Sequence, residues 1–82
     1  MMKVRVKLFA TLVQYFPGAR SGIPFELDLP DGSTLAGLIS YLALPEEEVK
    51  INFVNGRTQD PGTLLVDGDE VGIFPPIGGG LA

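Results

Sequence analysis

Hydrophobic and charged side chains alternate strictly along the segment Lys3 to Leu8, near the start of the chain. A period of two predicts a β-strand with one face on a core and the other in solvent. The segment Ile23 to Leu29 also alternates, and its polar positions include acidic residues. Antiparallel pairing of the two segments would set acids opposite bases. Charge pairing between strands therefore explains the basic stripe better than a docking surface does.

The apolar period lengthens after the turn Pro30-Asp31-Gly32. Apolar residues then fall at i, i+3, i+4 and i+7, namely Leu35, Leu38, Ile39 and Leu42. This stripe predicts the main helix, which begins after Ser33 or Thr34 as N-cap and covers the sheet. We expect Gly37, within this helix, to allow a close approach by neighbouring backbone.

Three shorter elements complete the predicted order. Ala10 to Phe16 has helical spacing and ends at a Pro-Gly stop signal, which predicts a short helix. Ile51 to Val54 predicts a strand that reverses through the type I′ turn signal Asn55-Gly56. A last strand containing Val71 and Ile73 follows an Asp-Gly turn. The order is strand, short helix, strand, main helix, strand, connecting segments and strand.

Two alternating faces and one helical stripe predict an α+β fold with a single core. The residues expected in that core are Val4, Val6, Leu8, Phe25, Leu27, Leu35, Leu38, Ile39 and Leu42. With 82 residues, the chain has room for one such domain. Its content of 45% hydrophobic and 20% charged residues is too apolar for disorder.

The chain contains neither cysteine nor histidine. This excludes a disulfide framework, a thiolate or imidazole metal ligand, a cysteine nucleophile and a near-neutral acid–base group. Glu46-Glu47-Glu48 could be a metal or general-acid cluster, but acids directly after a proline are ordinary first-turn helix residues. We therefore expect no metal site and no catalytic residues, so the chain is not predicted to be an enzyme.

The sequence contains no 18-residue apolar run and no apolar leader at its start. We therefore expect a cytoplasmic protein without a membrane partner. The formal net charge of −4 argues against nucleic acid as a partner, because phosphate binding needs an excess of positive charge.

The end of the chain has no capacity to continue a strand or to pack. Pro75 and Pro76 lack the N–H that a sheet ladder needs, so the last strand is predicted to stop at Phe74. Three glycines, Gly78 to Gly80, follow Ile77. We expect a folded domain over residues 1–76 and a flexible C-terminal segment, 77–82. Extended, Pro75 to Gly80 would reach roughly 20 Å, enough to enter a narrow pocket of another protein.

The run from Asp67 to Gly80, Asp-Gly-Asp-Glu-Val-x-x-Phe-Pro-Pro-x-x-Gly-Gly, resembles the C-terminus of the MoaD family, the small sulfur-carrying subunits of molybdopterin synthase. The sulfur carriers of thiamin synthesis, ThiS, are close structural relatives. The resemblance implies a β-grasp (ubiquitin-like) fold, a mixed sheet of four to five strands covered by one main helix, with the first and last strands parallel at its centre. It extends to the first strand, the start of the main helix and the Val54-Asn55-Gly56 turn.

The resemblance also implies a site and its partners. An E1-like adenylating enzyme would use ATP to activate the glycine carboxylate and convert it to a thiocarboxylate, with no cofactor bound to this chain. Gly80, next to Gly79, would be the acceptor. The partner-binding residues would be Phe74, Pro75, Pro76, Ile77 and Gly78, although Phe74 could equally be a core residue. The second partner would be the large subunit of molybdopterin synthase.

One feature departs from the family pattern. Members normally end at the second glycine of the pair, whereas Leu81 and Ala82 follow Gly80 here. We expect a peptidase to trim these two residues. Two other readings stay open: a carrier for another pathway (thiamin, cysteine) or a ubiquitin-like modifier, and a β-grasp binding module that never becomes conjugated.

Overall fold

The computed structural model describes residues 1–76, which form one mixed, five-stranded sheet with a single α-helix. The strands are β1 (Met2–Leu8), β2 (Phe25–Leu29), β3 (Ile51–Val54), β4 (Arg57–Thr58) and β5 (Glu70–Phe74), and the helix is α1 (Leu35–Tyr41). Two short 3₁₀ helices span Ala10–Tyr15 and Glu46–Glu48. The strand order is β2-β1-β5-β3-β4, and the central pair, β1 and β5, is parallel. The predicted β-grasp fold is confirmed.

The core lies between α1 and the inner face of the sheet. Val4, Val6 and Leu8 of β1 are fully buried, and Val71 and Ile73 of β5 lie beside them. Leu35 and Leu38 of the helix are fully buried against this layer, together with Leu12 from the first 3₁₀ helix. The predicted core is confirmed, with Phe25 only half-buried, where its ring stacks on Phe16 at 4.2 Å.

Of the two predictions made for α1, the N-cap is confirmed and the role of Gly37 is not. Thr34 is the N-cap, and its Oγ1 accepts a hydrogen bond from the Gly37 N–H at 3.1 Å. The expected close backbone approach at Gly37 is wrong, because an added Cβ would meet only Thr34 Oγ1, at 3.6 Å. Asn55 and Gly56 both have positive φ, 52° and 85°, as a type I′ turn requires.

The N-terminal connection also differs from expectation. Ala10–Tyr15 forms a 3₁₀ helix, and β2 begins only at Phe25, so Ile23 is not on the core face and is 58% exposed. Ile23 belongs to a turn, since its N–H donates to the Arg20 carbonyl at 3.0 Å. Pro24, which has no N–H to donate, separates that turn from the strand.

A polar network ties the β3–β4 turn to the turn that precedes β5. The Asp69 carboxylate is 7% exposed and accepts hydrogen bonds from Asn55 Nδ2 and from the Val66 N–H, both at 2.9 Å. Asn55 Oδ1 in turn accepts from the Glu70 N–H at 2.9 Å. Two motifs of the family resemblance, Val54-Asn55-Gly56 and Asp67 to Glu70, therefore contact each other and fix the start of β5.

Candidate functional site

The outer face of the sheet, away from α1, has a charged half. Lys3 Nζ lies 3.8 Å from Glu26 and 3.9 Å from Asp28, across the β1–β2 pair. On the other side of β1, Glu70 Oε2 is 4.0 Å from Arg5 Nη1 and 3.8 Å from Lys7 Nζ. The predicted pairing of the basic stripe with acids is confirmed. These pairs are substantially exposed and contribute little stability, but they neutralise the stripe.

The other half of the outer face is aromatic, and we call Phe9, Phe53 and Phe74 the aromatic cluster. The rings of Phe9 and Phe74 are stacked, with centroids 4.0 Å apart and planes 6° from parallel. Phe53 meets Phe74 edge to face at 5.4 Å. All three residues are half-buried, so they expose aromatic surface beside the point where β5 ends.

Backbone pairing sets the positions of these three rings. Phe9 follows β1, and its N–H donates to the Ile73 carbonyl of β5 at 3.2 Å. Phe53 lies opposite Gly72 in the antiparallel β3–β5 ladder. Phe74 is the last residue of β5, and its carbonyl accepts from the Lys50 N–H at 2.8 Å. The cluster thus takes one residue from β3, one from the end of β5 and one from the position that follows β1, and backbone pairing holds all three.

A shallow concavity of about 310 Å³ lies within this half of the face, and we call it the Gly72 hollow. Its floor is Gly72, which has no side chain. Its lining consists of Lys7, Phe9, Phe53, Gly56, Glu70, Gly72 and Phe74. The hollow is therefore mainly aromatic, with the Lys7–Glu70 ion pair among its lining groups.

Some of the site residues predicted from the sequence lie within residues 1–76, which the structure describes, and the others lie beyond residue 76. Phe74 faces outward as a member of the aromatic cluster and is not in the inner core, Pro75 is buried, and Pro76 is exposed. The strand ends at Phe74, as the two prolines predict. Ile77, Gly78, Gly79 and Gly80, and the extension Leu81-Ala82, lie outside the described residues, so their roles and the predicted boundary at residue 76 stay predictions.

Sequence reasoning did not find Phe9, Phe53 or Gly72. A signal for two of them existed, because Phe9 continues the outward register of Lys3, Arg5 and Lys7, where a polar residue is expected. Phe53 likewise alternates with the buried Asn52 and Val54. Aromatic residues at outward positions of two strands indicate a binding surface only once the strands are known to be neighbours.

A larger cleft of about 750 Å³ lies beside α1 on the inner side of β3. Its lining includes Asn52, which is 8% exposed and whose Oδ1 has no hydrogen-bond partner among residues 1–76. The charged groups of the cleft, Glu46, Lys50 and Asp60, have mixed signs. The cleft therefore shows no preference for one class of ligand.

Two further properties concern residues 1–76. Within residues 1–76 no cluster of acidic side chains is arranged to hold a metal ion. In the same range, none of the helices combines the length and the apolar character that a membrane crossing needs.

Comparison with known proteins identifies relatives over nearly the whole chain. The sequence profile of the ThiS family matches residues 6–80. A Pyrococcus furiosus protein assigned as molybdopterin converting factor, subunit 1, is 33% identical, with a TM-score of 0.75 over 94% of this chain and 100% of that one. No match was found among curated protein sequences.

Two further solved structures are similar in fold. Small archaeal modifier protein 1 from Haloferax volcanii is 22% identical, with a TM-score of 0.74 over 94% of this chain and 100% of that one. A Caldiarchaeum subterraneum ubiquitin is 17% identical, with a TM-score of 0.57 over 94% of this chain and 96% of that one. At these identities the likeness shows the shared ubiquitin-like fold.

Proposed function

Because the chain belongs to the ThiS family, we propose that it is a sulfur carrier of molybdenum or tungsten cofactor (molybdopterin) biosynthesis. The observation that carries the proposal is the aromatic cluster, whose member Phe74 immediately precedes Pro75-Pro76 and the glycine-rich end of the sequence. A partner that covers this cluster also meets the prolines from which the glycine-rich sequence continues. The choice of pathway rests on the 33% identical Pyrococcus furiosus relative assigned to molybdopterin conversion.

The proposed chemistry takes place on one carboxylate and is supplied by the adenylating enzyme. The Gly80 carboxylate displaces pyrophosphate from ATP to form an acyl-adenylate, and a sulfide sulfur then displaces AMP to give the thiocarboxylate. Where the donor is a persulfide, displacement of AMP gives an acyl disulfide, and a thiol reductant cleaves its S–S bond to leave the thiocarboxylate and a disulfide. The carrier contributes a recognition surface and a chain end that positions the sulfur in a partner's active site. Transfer of that sulfur to the pterin precursor takes place in the synthase large subunit.

The aromatic cluster is suited to bind the adenylating enzyme and the large subunit in turn. Aromatic residues in well-packed positions supply a large share of the affinity at protein interfaces. Phe9 and Phe74 are already stacked, so little side-chain freedom is lost when a partner covers them. The neighbouring charged side chains are paired with one another, so the aromatic half is the part of the face that is left to bind a partner.

The extension Leu81-Ala82 makes the encoded chain a precursor in this proposal. While Leu81 follows it, the Gly80 carbonyl belongs to a peptide bond and is not a free carboxylate for ATP to activate. The extension also puts two residues with a Cβ where the adenylating enzyme accepts glycine. A peptidase that removes both residues would expose the Gly80 carboxylate for adenylation.

The test compares the full chain with a chain that ends at Gly80, in ATP-dependent adenylation by the cognate E1-like enzyme. We expect pyrophosphate exchange only with the truncated chain and not with the full chain. When a sulfur donor is added, the mass of the truncated chain should rise by the replacement of one oxygen by one sulfur. A Gly79→Val version of the truncated chain is the matched control, and it should fold normally and fail in sulfur transfer. Equal adenylation of the full and truncated chains would contradict the precursor proposal, and no adenylation of either would contradict the carrier function.

A further inference from the structure

The backbone at position 72 does not require a glycine. Unlike the turn glycines, such as Gly56 and Gly68, Gly72 has no positive φ. It lies in the middle of β5, paired with Lys7 on one side and Phe53 on the other. Glycine in a strand interior weakens the strand, because it has no side chain to pack and loses more freedom on folding.

The space above Gly72 would also accept a larger residue. A Cβ built on this position would lie 3.5 Å from Phe9 Cε2, 3.8 Å from Phe74 Cε1 and 4.0 Å from the Phe53 Cβ. These are ordinary van der Waals separations. An alanine would therefore fit, and would add contacts with all three members of the aromatic cluster. Neither backbone conformation nor packing explains the glycine.

The effect of glycine here is to leave the hollow open. The cavity of about 310 Å³ lies at the lower limit of small-molecule pockets, about 300–1,000 Å³, and it is shallow. Such a volume suits a single side chain of a partner protein. Anchor side chains that enter a pocket of this kind at the centre of an interface account for much of its binding energy.

The lining defines the chemistry of that side chain. The atoms nearest to a Cβ built at Gly72 are ring carbons of Phe9 and Phe74 and the Cβ of Phe53, so the walls of the hollow are apolar there. The Lys7 and Glu70 groups neutralise each other at 3.8 Å, so the hollow offers no free charge to a charged guest. Aliphatic carbon fits these walls, and a thioether sulfur makes favourable contacts with aromatic rings.

We propose that the Gly72 hollow receives one aliphatic side chain, a leucine or a methionine, of the adenylating enzyme, and that Gly72 is a specificity-determining residue. This inference rests on the proposed function. Gly72 lies two residues before Phe74, the last residue of β5, so an enzyme that takes up the chain end would meet the hollow beside it. A partner with a charged or β-branched residue at that point would fit poorly.

The experiment uses the full-length protein with Gly72→Ala and Gly72→Val substitutions. Thermal unfolding is measured first, and Gly72→Ala should unfold at the same temperature as the wild type or a higher one. Calorimetric affinity for the cognate adenylating enzyme should fall several-fold for Gly72→Ala and at least tenfold for Gly72→Val. On chains ending at Gly80, KM for the carrier should rise by the same factors while kcat of adenylation is unchanged. Gly37→Ala, on the exposed side of α1, is the matched control and should leave affinity unchanged.

The outcomes separate this inference from the proposed function. If the wild type binds the enzyme and the Gly72→Ala and Gly72→Val variants bind it with the same affinity, the hollow is not a recognition site. The carrier function would remain supported. Absence of wild-type binding, both by the full chain and by the chain ending at Gly80, would contradict the proposed function, and this inference with it. A change in self-association by light scattering, with enzyme affinity unchanged, would show a second copy of the chain as the occupant and would also overturn the proposal.

Discussion

The two faces of the sheet differ in what they contribute, and β5 shows the difference residue by residue. Val71 and Ile73 point inward and are fully buried. Gly72 and Phe74 point outward and form part of the aromatic half of the surface. Successive positions of one strand therefore serve separate purposes, with stability on the inner face and recognition on the outer face. Substitutions one residue apart should change different measurements, and four predictions test this separation.

Leu38→Ala, on the inner layer, should have the largest effect. Leu38 is fully buried under the sheet, and truncation of a buried leucine costs about 2–5 kcal/mol. A domain of 82 residues has a total stability of about 4–12 kcal/mol, so this loss is a large fraction of it. Urea unfolding measures the change. The fraction that stays folded should bind the adenylating enzyme with wild-type affinity, and a weakened affinity would contradict the separation of the faces.

Asp69→Ala should destabilise the domain by about 2–3 kcal/mol, because Asn55 Nδ2 and the Val66 N–H lose a charged acceptor in a buried position. Urea unfolding again gives the measurement. Asp67→Ala is the control, since Asp67 is exposed and accepts one hydrogen bond, from the Lys3 N–H at 2.8 Å. The loss of stability in Asp67→Ala should be smaller than that in Asp69→Ala. Equal costs would show that the buried network adds nothing beyond a single turn hydrogen bond.

Phe74→Ala should lower affinity for the adenylating enzyme by about 2 kcal/mol, roughly 30-fold, while unfolding changes less. The stability loss comes from the Phe9 stack and the Phe53 edge contact, about 0.5–1.5 kcal/mol for such a pair. Phe16→Ala provides the matched control because Phe16 also belongs to a stacked pair, with Phe25 at 4.2 Å. That variant should lose stability without losing affinity. Similar affinity losses in both variants would contradict a localised recognition surface.

Asn52→Leu should have the smallest effect and the opposite sign. Asn52 is the polar exception at an inward position of β3, and its buried Oδ1 lacks a hydrogen-bond partner among residues 1–76. An unpaired buried polar group costs about 1–3 kcal/mol, so a leucine of similar size should stabilise the domain by about 1 kcal/mol. Thermal unfolding measures this, with enzyme affinity unchanged. A loss of stability would mean that the amide makes a contact that a leucine cannot replace.

The sequence predicts the inner face well because burial imposes a period. The period of two in Lys3 to Leu8 and the helical spacing from Leu35 to Leu42 each have one solution that buries all their apolar residues together. Ile23 shows the limit of this reasoning, since it continues the alternation numerically but lies in a turn closed by the Arg20 carbonyl. The 3₁₀ hydrogen bonding of Ala10–Tyr15 is also invisible to a pattern only six residues long.

The outer face is less predictable because its function depends on which strands are neighbours. Phe9, Phe53 and Phe74 are far apart in the sequence, and each one alone is an unremarkable half-exposed aromatic residue. Only the order β1-β5-β3 brings them together. Gly72 is still harder to identify from the sequence, because it is not in a turn and it matters only through the aromatic rings around it. The C-terminal glycines differ from these residues, because their motif is contiguous and can be recognised in the sequence alone.

The parallel pairing of β1 with β5 also couples recognition to the completion of folding. Arg5 pairs with Glu70, so the central ladder forms only when the two ends of the domain meet. Contacts of such long sequence separation pay a loop-closure entropy before they are stabilised, and they form late and slowly. A nascent or misfolded chain therefore carries the C-terminal glycine sequence without an assembled aromatic cluster. An adenylating enzyme that requires the cluster would spend ATP only on carriers whose first and last strands have already joined.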